Sequence, residues 1–218
     1  MMNIEKIIVG AIATNCYIIP LESGGALLLD PGDGAKEIIK KLEAFHLDPR
    51  FIVFTHGHFD HLAALPKIIS HYAQAGFHPE IMIHKNDAYF LGKEAYKHHC
   101  ESLRAISGGD NSFIDGLWEE MPEPTTLLEE GDLVEQFKVL CLPGHSSGSI
   151  ALYDEKNALL LSGDTLFKRG VGRTDLPGGE PEKLEESLHR LFALPGNTAV
   201  YPGHGPSTTI AAEVPYYP

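Results

Sequence analysis

Three histidines and an aspartate crowd into the stretch THGHFDH, as His56, His58, Asp60 and His61. Imidazole nitrogen and carboxylate oxygen without thiolate suit zinc, iron or manganese. Four candidate ligands in one loop cannot fill two coordination spheres, so the position of the other histidines matters. His145 lies in LPGHSSGS and His204 in YPGHGPS, each flanked by glycine, and Asp164 lies in SGDTLF. Seven ligands are too many for one tetrahedral ion, and two divalent metal ions are the natural count. Two ions sharing a water bring its pKa from about 15.7 towards neutrality, and one of them can polarise a carbonyl. The set therefore predicts hydrolysis by a metal-bound hydroxide, with Asp60 orienting or deprotonating the nucleophile. His46, His71, His78, His84, His98, His99 and His189 have no motif around them and read as ordinary polar residues.

Such a site needs a scaffold that brings distant loops to one point. Apolar runs at 4–9, 16–19 and 26–29 predict short strands. A helix is expected over 35–45, where apolar residues recur at 38, 39, 42 and 45. The continuous run FIVF at 51–54 predicts a strand covered on both faces, and the histidine stretch starts where it ends. Pro66 suits the first turn of a helix reaching about residue 75, followed by a strand at 81–83. Further strands are expected at 137–142, 149–153, 158–161 and 199–201, with a helix over 181–193. All four ligand clusters thus sit at strand ends, where a rigid sheet can position them. Residues 86–125, with a helix predicted over 89–103 followed by SGGDNSFIDG and MPEPTT, read as an insertion or lid. Asp30 in DPGDG reads as a turn or helix-capping residue. Gly144, Gly163 and Gly203 read as tight-turn glycines.

The chain has 218 residues, and no composition shift divides it, so one domain over 1–218 is expected. Lys+Arg of 17 against Asp+Glu of 30 gives a net charge of -13, which disfavours nucleic-acid partners and anionic membrane surfaces. The start MMNIEKIIVGAIATNCYIIP lacks the basic region and long apolar run of a signal peptide. Cys16, Cys100 and Cys141 are odd in number and far apart, which reads as buried inert thiols in a reducing cytoplasm.

The motifs HGHFDH, TNCYII, LLLDPGDG, PGHSSGS, SGDTLF and YPGHGPST resemble, in order and spacing over residues 4–210, those of the metallo-β-lactamase superfamily. The resemblance implies an α/β fold, a four-layer αββα sandwich of two mixed β-sheets flanked by helices. It assigns His56, His58 and His145 to one metal and Asp60, His61 and His204 to a second, with Asp164 bridging. Zinc is the first expectation for the pair, with iron or manganese as the alternatives. The run GDTLFKRGVGRTDLPGG is similar to the glyoxalase II branch, which implies a small-molecule thioester of the hydroxyacylglutathione type as substrate, with Arg173 holding its carboxylate. Two departures bear on that substrate. Asp175 stands where the branch has a tyrosine, and a C-terminal helical domain that supplies further glutathione contacts is not found up to Pro218.

GVGRTD is also similar to the persulfide dioxygenases, which implies an alternative: one iron held by His56, His145 and Asp164, with open positions for oxygen. A β-lactamase is disfavoured because Asp164 resembles the hydrolase branch rather than the cysteine-bearing one. A non-catalytic binding protein retaining the fold would be expected to lack ligands, and none of the seven is missing.

Overall fold

The strands of this chain carry apolar residues on both faces, and the computed structural model, which describes residues 4–217, shows where each face goes. The elements in chain order are β1 (Glu5–Val9), β2 (Thr14–Pro20), β3 (Ala26–Leu29), α1 (Ala35–Ala44), β4 (Pro49–Val53), α2 (Phe59–Leu62), α3 (Leu65–Gln74) and β5 (Glu80–His84). A 3-10 turn (Lys85–Phe90), α4 (Ala95–Ser107), α5 (Ser112–Asp115), β6 (Thr126–Leu128), β7 (Leu133–Val134), β8 (Phe137–Cys141), β9 (Ile150–Asp154) and β10 (Leu159–Gly163) follow. The chain continues through β11 (Leu166–Phe167), β12 (Gly170–Val171), α6 (Pro181–Phe192), β13 (Ala199–Pro202), β14 (Thr208–Thr209), α7 (Ile210–Glu213) and a last 3-10 turn, Val214–Tyr216.

Two six-stranded mixed sheets result. The first runs β1-β2-β3-β4-β5-β6, antiparallel up to β3 and parallel from there. The second runs β14-β13-β10-β9-β8-β7, with β10 and β13 as its parallel pair. Side chains alternate across a strand, so Leu27 and Leu29 of β3 meet Ile150 and Leu152 of β9 in a core between the sheets. Ala26 and Leu28 face the other way, against Ile38 and Leu42 of α1 and Leu65 and Ile68 of α3. Ala151 and Tyr153 of β9 face Leu184, Leu188 and Leu191 of α6. Three apolar layers between four layers of elements make the αββα sandwich. Among the described residues, no helix is long and apolar enough to cross a membrane.

The expected helices at 35–45, 66–75 and 181–193 and the strand at 51–54 are found with their ends moved by a residue or two. The helix expected over 89–103 is instead a 3-10 turn and α4. Gly92, at φ 77° in the left-handed region, ends the first, and its N–H turns away to the Pro122 carbonyl. The SGGDNSFIDG stretch holds the four-residue α5. Cys16 and Cys100 are buried, Cys141 is partly so, and all three are free thiols.

His99 of α4 is buried, and its Nε2 lies 2.9 Å from the Phe90 carbonyl, to which it donates. Burial, offset only in part by that bond, lowers its pKa to about 4. In the unfolded chain it titrates near its ordinary value of about 6.5, so the unfolded state takes up the proton first as pH falls. His99 therefore costs no stability above about pH 6.5 and removes up to about 3 kcal/mol as pH falls from there towards 4. Denaturant melts between pH 7 and 4 should show wild type losing this amount relative to His99→Gln, and parallel curves would refute it.

Candidate metal centre

The seven predicted ligands converge at one end of the sandwich, and the topology says why. The His56–His61 stretch leaves the end of β4 and turns into α2, whereas His145 occupies the turn from β8 to β9. Because β10 and β13 are parallel and paired up to Gly163 and Pro202, the residues just beyond them, Asp164 and His204, emerge side by side. Backbone bonds tie the two sheets at this edge. The N–H of Ile150 donates to the Thr55 carbonyl at 2.8 Å, and that of Asn15 to the Gly203 carbonyl at 2.7 Å. The Asn15 side chain also donates to the carbonyls of Pro202 and Gly205, each at 2.8 Å, so it clamps both flanks of His204.

The donor atoms form two overlapping groups. His58 Nδ1 lies 2.9 Å from His145 Nε2, which is 3.3 Å from His56 Nε2. His61 Nε2 lies 3.2 Å from His204 Nε2 and 3.5 Å from Asp60 Oδ2, and His204 Nε2 lies 3.3 Å from that same oxygen. Asp164 stands between the groups. Its Oδ1 is 3.6 Å from His61 Nε2, and its Oδ2 is 3.7 Å from His145 Nε2 and 3.4 Å from His204 Nε2. A tetrahedral ion with bonds of about 2.0–2.1 Å to nitrogen needs its donors roughly 3.3 Å apart. The ligand-atom sets His56–His58–His145, His56–His61–Asp164 and Asp60–His61–His204 each lie within 4.8 Å.

Three of the other ring nitrogens lie beside oxygens that aim the donors inward, whereas His58 Nε2 is buried without a hydrogen-bond partner. His145 Nδ1 is 2.7 Å from the Arg173 carbonyl, His56 Nδ1 is 3.1 Å from Thr55 Oγ1, and His61 Nδ1 is 3.0 Å from Asp30 Oδ2. An N–H pointing out at each of these oxygens leaves the Nε2 lone pair pointing in. Asp164 Oδ1 is buried without a hydrogen-bond partner. The donor set and this aimed oxygen fit divalent cations. Gly203 keeps the gap open, since a Cβ there would overlap Asp164 Oδ1.

Electrostatics separate the two groups. Burial, and then the positive field of the neighbouring histidines, hold His56 well below its usual pKa, and the same causes hold His58 at about 3. Burial also pulls against a charged His61, but Asp60, Asp164 and Asp30 together push its pKa well above normal. Burial opposes ionisation of Asp60 and Asp164, yet the surrounding histidines hold both below the usual carboxylate range. His56 and His58 are thus kept as neutral imidazole, the ligating form, and the second group is where carboxylates and imidazoles balance charge.

Several residues of the centre carry no ligand signal in the sequence. Asp30 neither caps α1, whose N-cap is Gly34, nor merely turns the chain. It accepts from the Thr55 N–H at 2.8 Å and hydroxyl at 2.7 Å, and it faces His61. Thr14 donates to Asp60 Oδ2 at 3.0 Å. Asp87, fully buried, accepts from the Gly57 N–H (2.8 Å), the Gly148 N–H (2.7 Å) and the Ser146 hydroxyl (2.7 Å), pinning the His58 and His145 loops together. Its position inside 86–125 gave no hint of this. The LLLDPGDG and TNCYII motifs did include Asp30 and Thr14, the first read as a turn or capping residue and the second without a role.

A cavity of about 380 Å³ opens beside the cluster, lined by His58, Asp60, His145, Asp164 and His204 and walled by α4, α5 and the β11–β12 hairpin. Arg173 also lines it, with its guanidinium bound to Asp175.

Fold and centre together define a metallo-hydrolase type of protein. Residues 9–204 match the metallo-β-lactamase superfamily, and the chain belongs to it. It is 31% identical to hydroxyacylglutathione hydrolase GloC of Haemophilus influenzae, over 97% of this chain and 95% of that protein. Among solved structures it is similar to TTHA1623 in a di-iron-bound form, at 35% identity and a TM-score of 0.83, covering 98% of both chains. It is likewise similar to the BLEG-1 B3 metallo-β-lactamase, at 33% identity and a TM-score of 0.82, covering 99% of this chain and 98% of that one.

Two outcomes test the supporting contacts. Asp30→Asn should weaken divalent-metal binding at the Asp60–His61–His204 group by about 10–100-fold in chelator competition. Asp87→Ala leaves two buried N–H groups unpaired and should cost about 3 kcal/mol, a Tm loss of roughly 6–12 °C in the metal-free protein. An unchanged melt would mean that water replaces the carboxylate.

Proposed function

We propose that the protein is a dinuclear metal-dependent hydrolase that cleaves a thioester, the reaction class of hydroxyacylglutathione hydrolase. His56, His58 and His145 would hold one ion and Asp60, His61 and His204 the other, with Asp164 between them. Zinc is the first choice, and iron is supported by the di-iron-bound similar structure. Such a pair, when bound, makes a water acidic enough to ionise near neutral pH and stabilises charge on a carbonyl oxygen. Asp60, ionised and open to the cavity, orients the attacking water and can take up its proton.

The observation that carries the thioester reading is what the cavity wall omits. Outside the seven donors, the only side chains with exchangeable protons among the described lining residues are His99, Ser102 and Arg173. His99 Nε2 is committed to the Phe90 carbonyl, a serine hydroxyl is a weak acid, and the arginine never gives up its proton. Apart from the proton that Asp60 can take from the water, the leaving group therefore departs with little help from a general acid. A thiol ionises near pH 8.5 and leaves readily as its anion, unlike the amine of a lactam or the alkoxide of an ordinary ester. A mononuclear dioxygenase would need only His56, His145 and Asp164, and here Asp60, His61 and His204 are gathered as well.

Metal quantification of the purified protein should give two ions per chain, with hydrolysis of a thioester panel abolished by chelation and lowered at least about 10³-fold by His58→Ala. One iron per chain with oxygen uptake on a persulfide would overturn the reading in favour of the dioxygenase. Full activity of His58→Ala would overturn the site itself.

A further inference from the structure

The cavity combines an apolar wall with one arginine in an ion pair. Ile12, Leu103, Ile106, Phe113, Val171 and Leu176 line the space beside the donors, and Ile12 and Ile106 are about half exposed, at 50% and 47%. Large apolar side chains left in solvent around a concave site favour an apolar occupant. Beyond the donor cluster, the only charged side chain among the described lining residues is Arg173.

That cation is already engaged. Its Nε donates to Asp175 Oδ1 at 2.6 Å and its Nη2 to Oδ2 at 2.7 Å, the parallel fork by which a substrate carboxylate would be held. The Arg173 carbonyl is fixed as well, against His145 Nδ1. Asp175, with its pKa held down at about 2 by the guanidinium, stays charged throughout the working pH range. A carboxylate approaching the free edge of the guanidinium meets a pair of net charge zero.

We propose that Asp175 is a built-in counter-ion to Arg173 that sets substrate choice: the cavity takes thioesters with an uncharged, apolar body and disfavours carboxylate-bearing thiols. This rests on the thioester-hydrolase reading for the reaction, though not for the binding preference.

The test therefore separates binding from turnover. Trp118, the only tryptophan, stacks on Phe59 of the cavity wall with ring centroids 6.1 Å apart, so its fluorescence reports occupancy. The metal-loaded protein is titrated with two uncleavable thioethers, one bearing a neutral benzyl group and its twin bearing a carboxylate on that ring. The neutral compound should bind on the order of tenfold tighter, and Asp175→Asn should narrow that ratio about fivefold. The matching thioesters should show the same change in KM rather than kcat. Equal or tighter binding of the carboxylate twin by wild type, an unmoved ratio in Asp175→Asn, or no binding of the neutral compound would each overturn the proposal. If the binding preference holds but neither thioester is cleaved, the hydrolase reading fails and the specificity stands. Cleavage of both thioesters without preference gives the reverse.

Discussion

Five imidazoles and two carboxylates can crowd into one mostly buried cluster only if their polar atoms find partners that replace water. In this protein the partners come in two directions. Inward, the donors face one another at 2.9–3.7 Å, spacing that mutual hydrogen bonds cannot satisfy for every atom and that cations can. Outward, Asp30, the Thr55 hydroxyl and the Arg173 carbonyl take up the remaining ring nitrogens of His61, His56 and His145. The rest of the fold can be read as the means of keeping that outer ring of contacts in place.

Both sheets contribute, which explains why the site lies at their shared edge. The first sheet supplies the His56–His61 stretch from β4 and Asp30 from the end of β3. The second supplies His145, Asp164 and His204. A slip between the sheets would part the two groups, so the cross-links matter more than any one ligand. Asn15 reaches from β2 to both flanks of His204, and Asp87 reaches from the turn after β5 to the His58 and His145 loops. The apolar core between the sheets fixes their separation, and these polar bonds fix the register at the edge.

The ligands were legible because histidine and aspartate next to glycine, after apolar runs, are few and distinctive in this sequence. The longer elements were legible from strong local signals: a helical period in α1, a first-turn proline in α3 and a continuous apolar run of strand length in β4. What escaped notice was short or non-local. β7, β11, β12 and β14 have two residues each, too few for a period. Asp30 looked like an ordinary turn aspartate and Asp87 drew no reading, because the groups that define their roles lie 25 to 61 positions away along the chain. The division of the ligands into two groups needed either the family resemblance or the coordinates, since spacing alone does not order them.

Chemistry and substrate choice are carried by different parts of the molecule. The donors and their supports stand on sheet ends, where a displacement costs core packing. The cavity wall stands on α4, α5 and the β11–β12 hairpin, which contribute little to the layer between the sheets. Residues such as Leu103, Ile106 and Phe113 can therefore change the shape of the cavity without moving His58 or Asp164. Membership of the superfamily consequently says much about the reaction and little about what is presented to it. A protein and its relatives can share seven donors while differing in whether the cation beside them is free to greet a substrate or, as with Arg173 here, is held by its own neighbour.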